Sequence, residues 1–143
     1  MKRYLLFLIL LLSSVSSYSR TYTELQEWRE RGLPSQIKSG VVVEVYDLKR
    51  SPRDMIDVNI RVHNLSSSAI DEAVIKIWVW KKDGVWVEEI SLMKGSSEKI
   101  NSGREKFFPG KGRYYTLGVK YDEAKRMEIE ISRVVSKRVR EKS

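Results

Sequence analysis

No cysteine occurs in the 143 residues of this chain. That absence excludes disulfide staples, thiolate metal sites and thiol catalysis, so packing alone must hold the fold. Histidine is nearly as scarce. His63 stands alone, and a base or a metal ligand needs partners that the sequence does not offer: there is no HxxxH pair, no G-x-S-x-G turn around a serine and no EF-hand spacing among the carboxylates. An acidic group at Asp122, Glu123, Glu128 and Glu130 is interrupted by Lys125 and Arg126 and reads as a solvated turn. The chain is accordingly expected to be no enzyme and to take no cofactor or metal. Apolar runs of membrane-spanning length are missing too. The longest covers residues 4 to 12, where a helical span needs about 20 residues.

That run is nevertheless informative because of its flanks. Lys2 and Arg3 precede it, and Ser13, Ser14, Val15, Ser16, Ser17 and Ser19 crowd the stretch behind it. Basic, then apolar, then small is the order of a secretory signal peptide. Cleavage after Ser16, Ser17 or Ser19 satisfies the small-residue requirement equally. The expectation is a secreted or periplasmic protein. Cutting after Ser19 leaves 124 residues, enough for one domain with a real core. The lack of a cysteine behind the signal argues against a lipoprotein anchor, and an uncleaved run retained as a tether is the lesser alternative.

The formal net charge of +8 is unevenly spread. Arg133, Lys137, Arg138, Arg140 and Lys142 against Glu141 give the last eleven residues a net +4, whereas residues 20 to 132 net only +2. The excess is a tail, either a solubilising end or an appendage for an anionic surface.

Along the exported part the hydrophobic period changes once. Thr21 with Glu24 has capping-box spacing, Tyr22, Leu25 and Trp28 recur at helical intervals, and Gly32 with Pro34 supplies a stop, so a short helix is expected over residues 22 to 31. From residue 41 the pattern alternates. Ile56, Val58, Ile60 and Val62 interleave with Asp57, Asn59, Arg61 and His63, as in a half-buried strand. Strands are expected over residues 41 to 48, 56 to 63, 72 to 81, 85 to 93, 99 to 108, 113 to 121 and 127 to 135, separated by turn residues at Ser51-Pro52, Asn64 to Ser68, Asp83-Gly84, Gly95, Pro109-Gly110 and Asp122. Seven alternating strands without helices between them predict an all-β, antiparallel, immunoglobulin-like sandwich. The expected organisation is a signal peptide at 1–19, the short helix and a linker at 20–40, the sandwich at 41–135 and the basic tail at 136–143.

Residues 57 to 131 carry Val58-Asn59-Ile60-Arg61-Val62-His63-Asn64 and the serine turn, then Ala73 to Trp80, Asp83-Gly84, Ile90-Ser91-Leu92 with Gly95, and Gly112 to Val119. This order resembles the CARDB-type domain, a cell-adhesion-related immunoglobulin-like module of bacteria and archaea. The same stretch is similar to the FxLYD module of bacterial envelope proteins. Tyr121-Asp122-Glu123 followed by Lys125-Arg126 departs from the acidic, asparagine-bearing end common in CARDB domains. Either resemblance implies a non-catalytic extracytoplasmic binding or spacer module, and neither implies catalytic residues.

Two candidate sites follow from the residues themselves. If Asp83-Gly84 forms a two-residue hairpin turn, Trp80 opposes Val87, Ile75, Ile77 and Val79 share the core face with Trp86 and Ile90, and Trp78, Trp80, Val85 and Val87 lie on the other face. Such an apolar patch asks for cover by the N-terminal helix, through Leu25 and Trp28, or by a partner. The second candidate is anionic recognition by Lys111 and Arg113 in the aromatic loop 107 to 115, together with Lys137, Arg138, Arg140 and Lys142 of the tail; the loop also reads as a tight turn whose rings anchor two strands. Asn64-Leu65-Ser66 is a glycosylation sequon in a turn. The expected partners are an envelope or extracellular protein or polysaccharide, with an anionic surface for the tail and, given export, no nucleic acid. The alternative is a structural accessory subunit of an envelope or secreted complex, recruited through the tail.

Overall fold

The computed structural model describes residues 30, 32–93 and 99–136. The stretch read as a signal peptide lies outside them, as do Lys137, Arg138, Arg140 and Lys142 and, apart from Glu30, the expected helix over residues 22 to 31. Among the described residues eight strands are formed: β1 (Ser35–Lys38), β2 (Val41–Arg50), β3 (Met55–Asn64), β4 (Ile70–Lys81), β5 (Gly84–Ser91), β6 (Glu105–Phe108), β7 (Tyr115–Lys120) and β8 (Ala124–Ser136), with a 3-10 turn at Tyr121–Glu123 before the last. Every pairing is antiparallel. One sheet runs β1-β2-β3, with β6 and β7 sharing the far edge of β3; the other runs β5-β4-β8.

Alternation makes the two layers. Ile56, Val58, Ile60 and Val62 of β3 meet Ile75, Ile77 and Val79 of β4 and Met127, Ile129 and Ile131 of β8 in one buried core. On β2 the apolar period slips, since Val45 and Leu48 are both buried although three residues apart. A bulge between Val45 and Asp47 absorbs the extra residue, Tyr46, and restores the inward register. Along the other side of the sandwich β1 lies against β8. The Ile131 N–H donates to Gln36 Oε1 at 2.5 Å, and Lys38 Nζ donates to the Ile131 carbonyl at 3.3 Å.

Four expectations need correction. Among the described residues the sandwich has eight strands, and the first lies at Ser35–Lys38, inside the stretch expected to be linker, because residues 35 to 38 fold back over Ser39-Gly40 onto residues 41 to 44. The strand expected over 99 to 108 is confined to Glu105–Phe108, preceded by a turn in which the Arg104 N–H bonds the Asn101 carbonyl; Ile100 makes only a bridge to Ile70. The strand expected from residue 113 begins at Tyr115, because Asn59 Nδ2 donates to the carbonyls of Gly110 and Arg113, at 2.8 and 2.7 Å, and holds that stretch as a loop. The β4–β5 hairpin turns at Lys82-Asp83, so that Lys81 pairs with Gly84 and Trp80 with Val85. Gly84, at φ 148, opens the strand and does not sit in the turn. The register is displaced by two residues, which leaves each side chain on its expected face.

Candidate binding face

Strand β4 is central in its sheet, and its alternation sends Ile75, Ile77 and Val79 into the core and Lys76, Trp78 and Trp80 outward. Cross-strand pairing surrounds the two tryptophans: Val87 and Glu128 flank Trp78, and Val85 and Arg126 flank Trp80. The indole centroids are 6.2 Å apart with planes inclined by 24°. The Arg126 guanidinium carbon lies 4.1 Å from the Trp80 ring centre, close enough for a cation–π contact, and Trp78 Nε1 donates to Glu130 Oε1 at 2.9 Å. Both indoles are half-buried, while Val85 and Val87 are 49% and 42% exposed. The expected quartet therefore forms one surface, apolar at its centre and ionic along the β8 side. Such a surface can offer apolar area through the indoles and directed polar contacts through Arg126, Glu128 and Glu130.

Trp86 belongs elsewhere. Its ring lies partly buried against the core and reaches Gly118 of β7, where a Cβ would come within 2.9 Å of Cζ2. A groove of about 480 Å³ opens near the far end of β5. Glu88 and Glu89 line it, with Arg133 and Glu72 across from them, already joined at 2.7 Å. Trp78, Trp80, Val85 and Val87 are not among its lining residues.

The second candidate lies on the opposite side of the sandwich. Lys111 and Arg113 are both exposed on the β6–β7 loop, which folds over the outer surface of β3 and buries Asn59 there. The aromatics serve as anchors. Phe108 is buried in the core and Tyr115 packs against it, Phe107 meets Tyr46 edge-on at 4.8 Å, and Tyr114 donates its hydroxyl to Asp47 Oδ2 at 2.5 Å. Lys111 Nζ lies 5.8 Å from the Phe107 ring centre. The structure thus brings Lys111 and Arg113 onto one loop and keeps them away from Trp78 and Trp80.

Sequence reading missed the clamp made by Asn59, the pairing of Tyr114 with Asp47 and the Gln36 and Lys38 contacts. Their only signal was polar residues placed outward on regular strands, which is also what a solvated strand shows. Burial pushes the Tyr115 phenol above its ordinary range. Arg50 is held above the ordinary guanidinium value, first by its hydrogen bond to Asp122. Asn64 is fully buried: Nδ2 donates to the carbonyls of Ser68 and Ile100, and Oδ1 accepts from the Ser66 N–H and hydroxyl. A glycan has no access to it in the folded chain. Among the described residues no three histidine or carboxylate side chains converge as metal ligands.

No family model, curated protein or solved structure matches this chain. The resemblance to CARDB and FxLYD modules rests on turn residues and alternation alone.

Proposed function

We propose that the chain is an exported, non-catalytic, immunoglobulin-like binding module that docks an envelope or extracellular protein or polysaccharide on the face of Trp78, Trp80, Val85 and Val87. One observation carries this reading: two indoles stand on the outward surface of the central strand, joined by two exposed valines, where a strand serving only the core would place polar residues. The ordered basic, apolar and small residues at positions 2 to 19 support export to the periplasm or beyond. In a host envelope or matrix fraction, capture by the exported chain should fall at least tenfold for Trp78→Ala/Val87→Ala and stay unchanged for Lys111→Ala/Arg113→Ala. Equal capture by all three proteins removes the face from consideration. Intact mass of the exported protein should show loss of 16 to 19 residues, as the candidate cleavage points require.

A second reading is favoured by the charge distribution. With a net +4 in the last eleven residues, the chain would act as an accessory subunit recruited to an anionic surface by its tail. Retention on heparin or anionic vesicles would then decline steeply with salt, because exposed charges are screened within about 8 Å at physiological ionic strength, and would vanish on truncation after Ser136, where β8 ends. Retention that survives truncation assigns the contact to Lys111 and Arg113.

A further inference from the structure

We propose that the free edge of β5 takes up an extended, basic segment of a partner polypeptide as an added strand, hydrogen-bonded to Val85, Val87, Glu89 and Ser91. Parity settles which backbone groups are open. Just past the end of β5 the Leu92 N–H donates to the Ala73 carbonyl at 2.9 Å, which makes that opposed pair a hydrogen-bonded one. From there the β4–β5 register runs without a shift to Lys81 and Gly84. Hydrogen-bonded and non-hydrogen-bonded pairs alternate along an antiparallel ladder, so Ile90, Glu88, Trp86 and Gly84 turn their N–H and C=O groups toward β4. Val85, Val87, Glu89 and Ser91 turn theirs away from it. Among the described residues β5 is the last strand of its sheet, and these four successive rungs stand open over about 20 Å.

Other edges of the sandwich are short, shared or blocked. Strands β1 and β6 have four residues each, β6 and β7 divide one edge between them, and Gln36 and Lys38 take the rung of β8 at Ile131. Strand β5 has eight residues with no proline, no lysine and no bulge, the devices that ordinarily blunt an edge. Side chains beside the open rungs also fit an added strand, whose backbone supplies affinity and whose alternate side chains supply specificity. Val85 and Val87 are exposed on the Trp78 and Trp80 face, where apolar groups of the newcomer would extend the patch. Charge selects the occupant. Glu88 and Glu89 adjoin on β5, and the groove at that end sets the carboxylates of Glu72, Glu88 and Glu89 against the single guanidinium of Arg133. A second copy paired edge to edge would gather the glutamates of both on one shared edge, which like charges disfavour. A strand carrying lysine or arginine finds partners there. The proposal rests on the docking reading for the statement that the segment belongs to an envelope or extracellular partner; the strand addition itself does not.

The probe is a capped peptide of about seven residues, the span of the open rungs, in which valine and lysine alternate. Added to the full-length protein, it should slow deuteration of the Val87 and Glu89 amides at least tenfold, leave those of Trp86 and Glu88 as they were, and bind more weakly as salt rises. Glu88→Gln/Glu89→Gln should weaken binding at least tenfold, and a peptide alternating valine with glutamate should not bind. Val87→Pro removes an edge N–H that the β4 ladder does not use and should abolish binding. If that variant does not fold, N-methylation of the peptide's valines, whose amides would face β5, makes the same test on the intact protein, with N-methylation of its lysines as the harmless control. Equal binding of both peptides overturns the proposal, as does binding that leaves the Val87 and Glu89 amides unprotected. Protection of those amides without peptide that grows with protein concentration also overturns it, by putting a second copy on the edge. Envelope capture judges the docking reading apart: capture unchanged in Trp78→Ala/Val87→Ala removes that reading and leaves strand addition standing, whereas capture that falls with no amide protection removes strand addition alone.

Discussion

Asn64 shows how one side chain can settle a connection between sheets. Its amide ties the residue 64 to 68 turn to Ile100, and the neighbouring Gly40, at φ 77, lets β1–β2 approach Ser66 where a Cβ would come within 3.1 Å of the Ser66 Cβ. Asn64→Ala takes one of two donors from each of the carbonyls of Ser68 and Ile100, which keep the Ser66 hydroxyl and the Ile70 N–H, and the net loss of a hydrogen bond costs about 0.5–1.5 kcal/mol each; the denaturation midpoint should fall accordingly, and glycosylating hosts should return this site unmodified by mass. Tyr115 gives the molecule an alkaline limit. Its phenol titrates above the ordinary value near 10 because burial disfavours the charged form. The folded chain therefore keeps a proton that the unfolded chain has begun to lose. The contribution is whole below about pH 10 and drains away as pH climbs through the folded value. Tyr115→Phe, measured by urea unfolding from pH 8 to 11, should flatten the alkaline decline. An unchanged profile would assign that decline to other groups.

At the scale of the strand, β4 carries two kinds of residue whose removal should read differently. Ile77 is completely buried, and Ile77→Ala should cost about 2–5 kcal/mol through lost transfer energy and a residual cavity. Val87, exposed on the neighbouring strand, should cost within about 0.5 kcal/mol when changed to Ala. A comparable loss at both positions, by urea unfolding, would mean that the outer face is as tightly packed as the inner one. The faces of β3, β4 and β5 could be read in advance because alternation depends on parity, and a hairpin displaced by two residues preserves parity. Strand β1 could not be read. Its four residues, Ser35, Gln36, Ile37 and Lys38, alternate no apolar groups toward the core, Ile37 being 62% exposed, and they are strand only because β2 accepts them. The bulge in β2 was not read over residues 41 to 48, although the spacing of Val45 and Leu48 is its trace in the sequence. The loop over β3 was hidden for a different reason: Asn59 looked like a solvent-facing residue until residues 110 to 113 were seen to close over it.

For the whole molecule, the two outer surfaces are chemically unlike: indoles and valines on β4 and β5, cations on the β6–β7 loop. At the level of the assembled sandwich the contact at Ile131 has a consequence of its own. Strand β8 is outermost in its sheet, and an outermost strand is a template on which further chains can stack into fibres. Gln36 and Lys38 occupy the Ile131 N–H and carbonyl with side chains in place of a backbone, so an incoming strand finds that rung taken. Gln36→Ala/Lys38→Ala should speed deuteration of the Ile131 amide and shorten the lag before thioflavin-positive fibrils form at the same protein concentration. Unaltered exchange and lag would mean that β1 shields the rung by bulk alone. With faster exchange and a shorter lag, two polar residues of a four-residue strand are what close the β8 edge at this rung to strand addition.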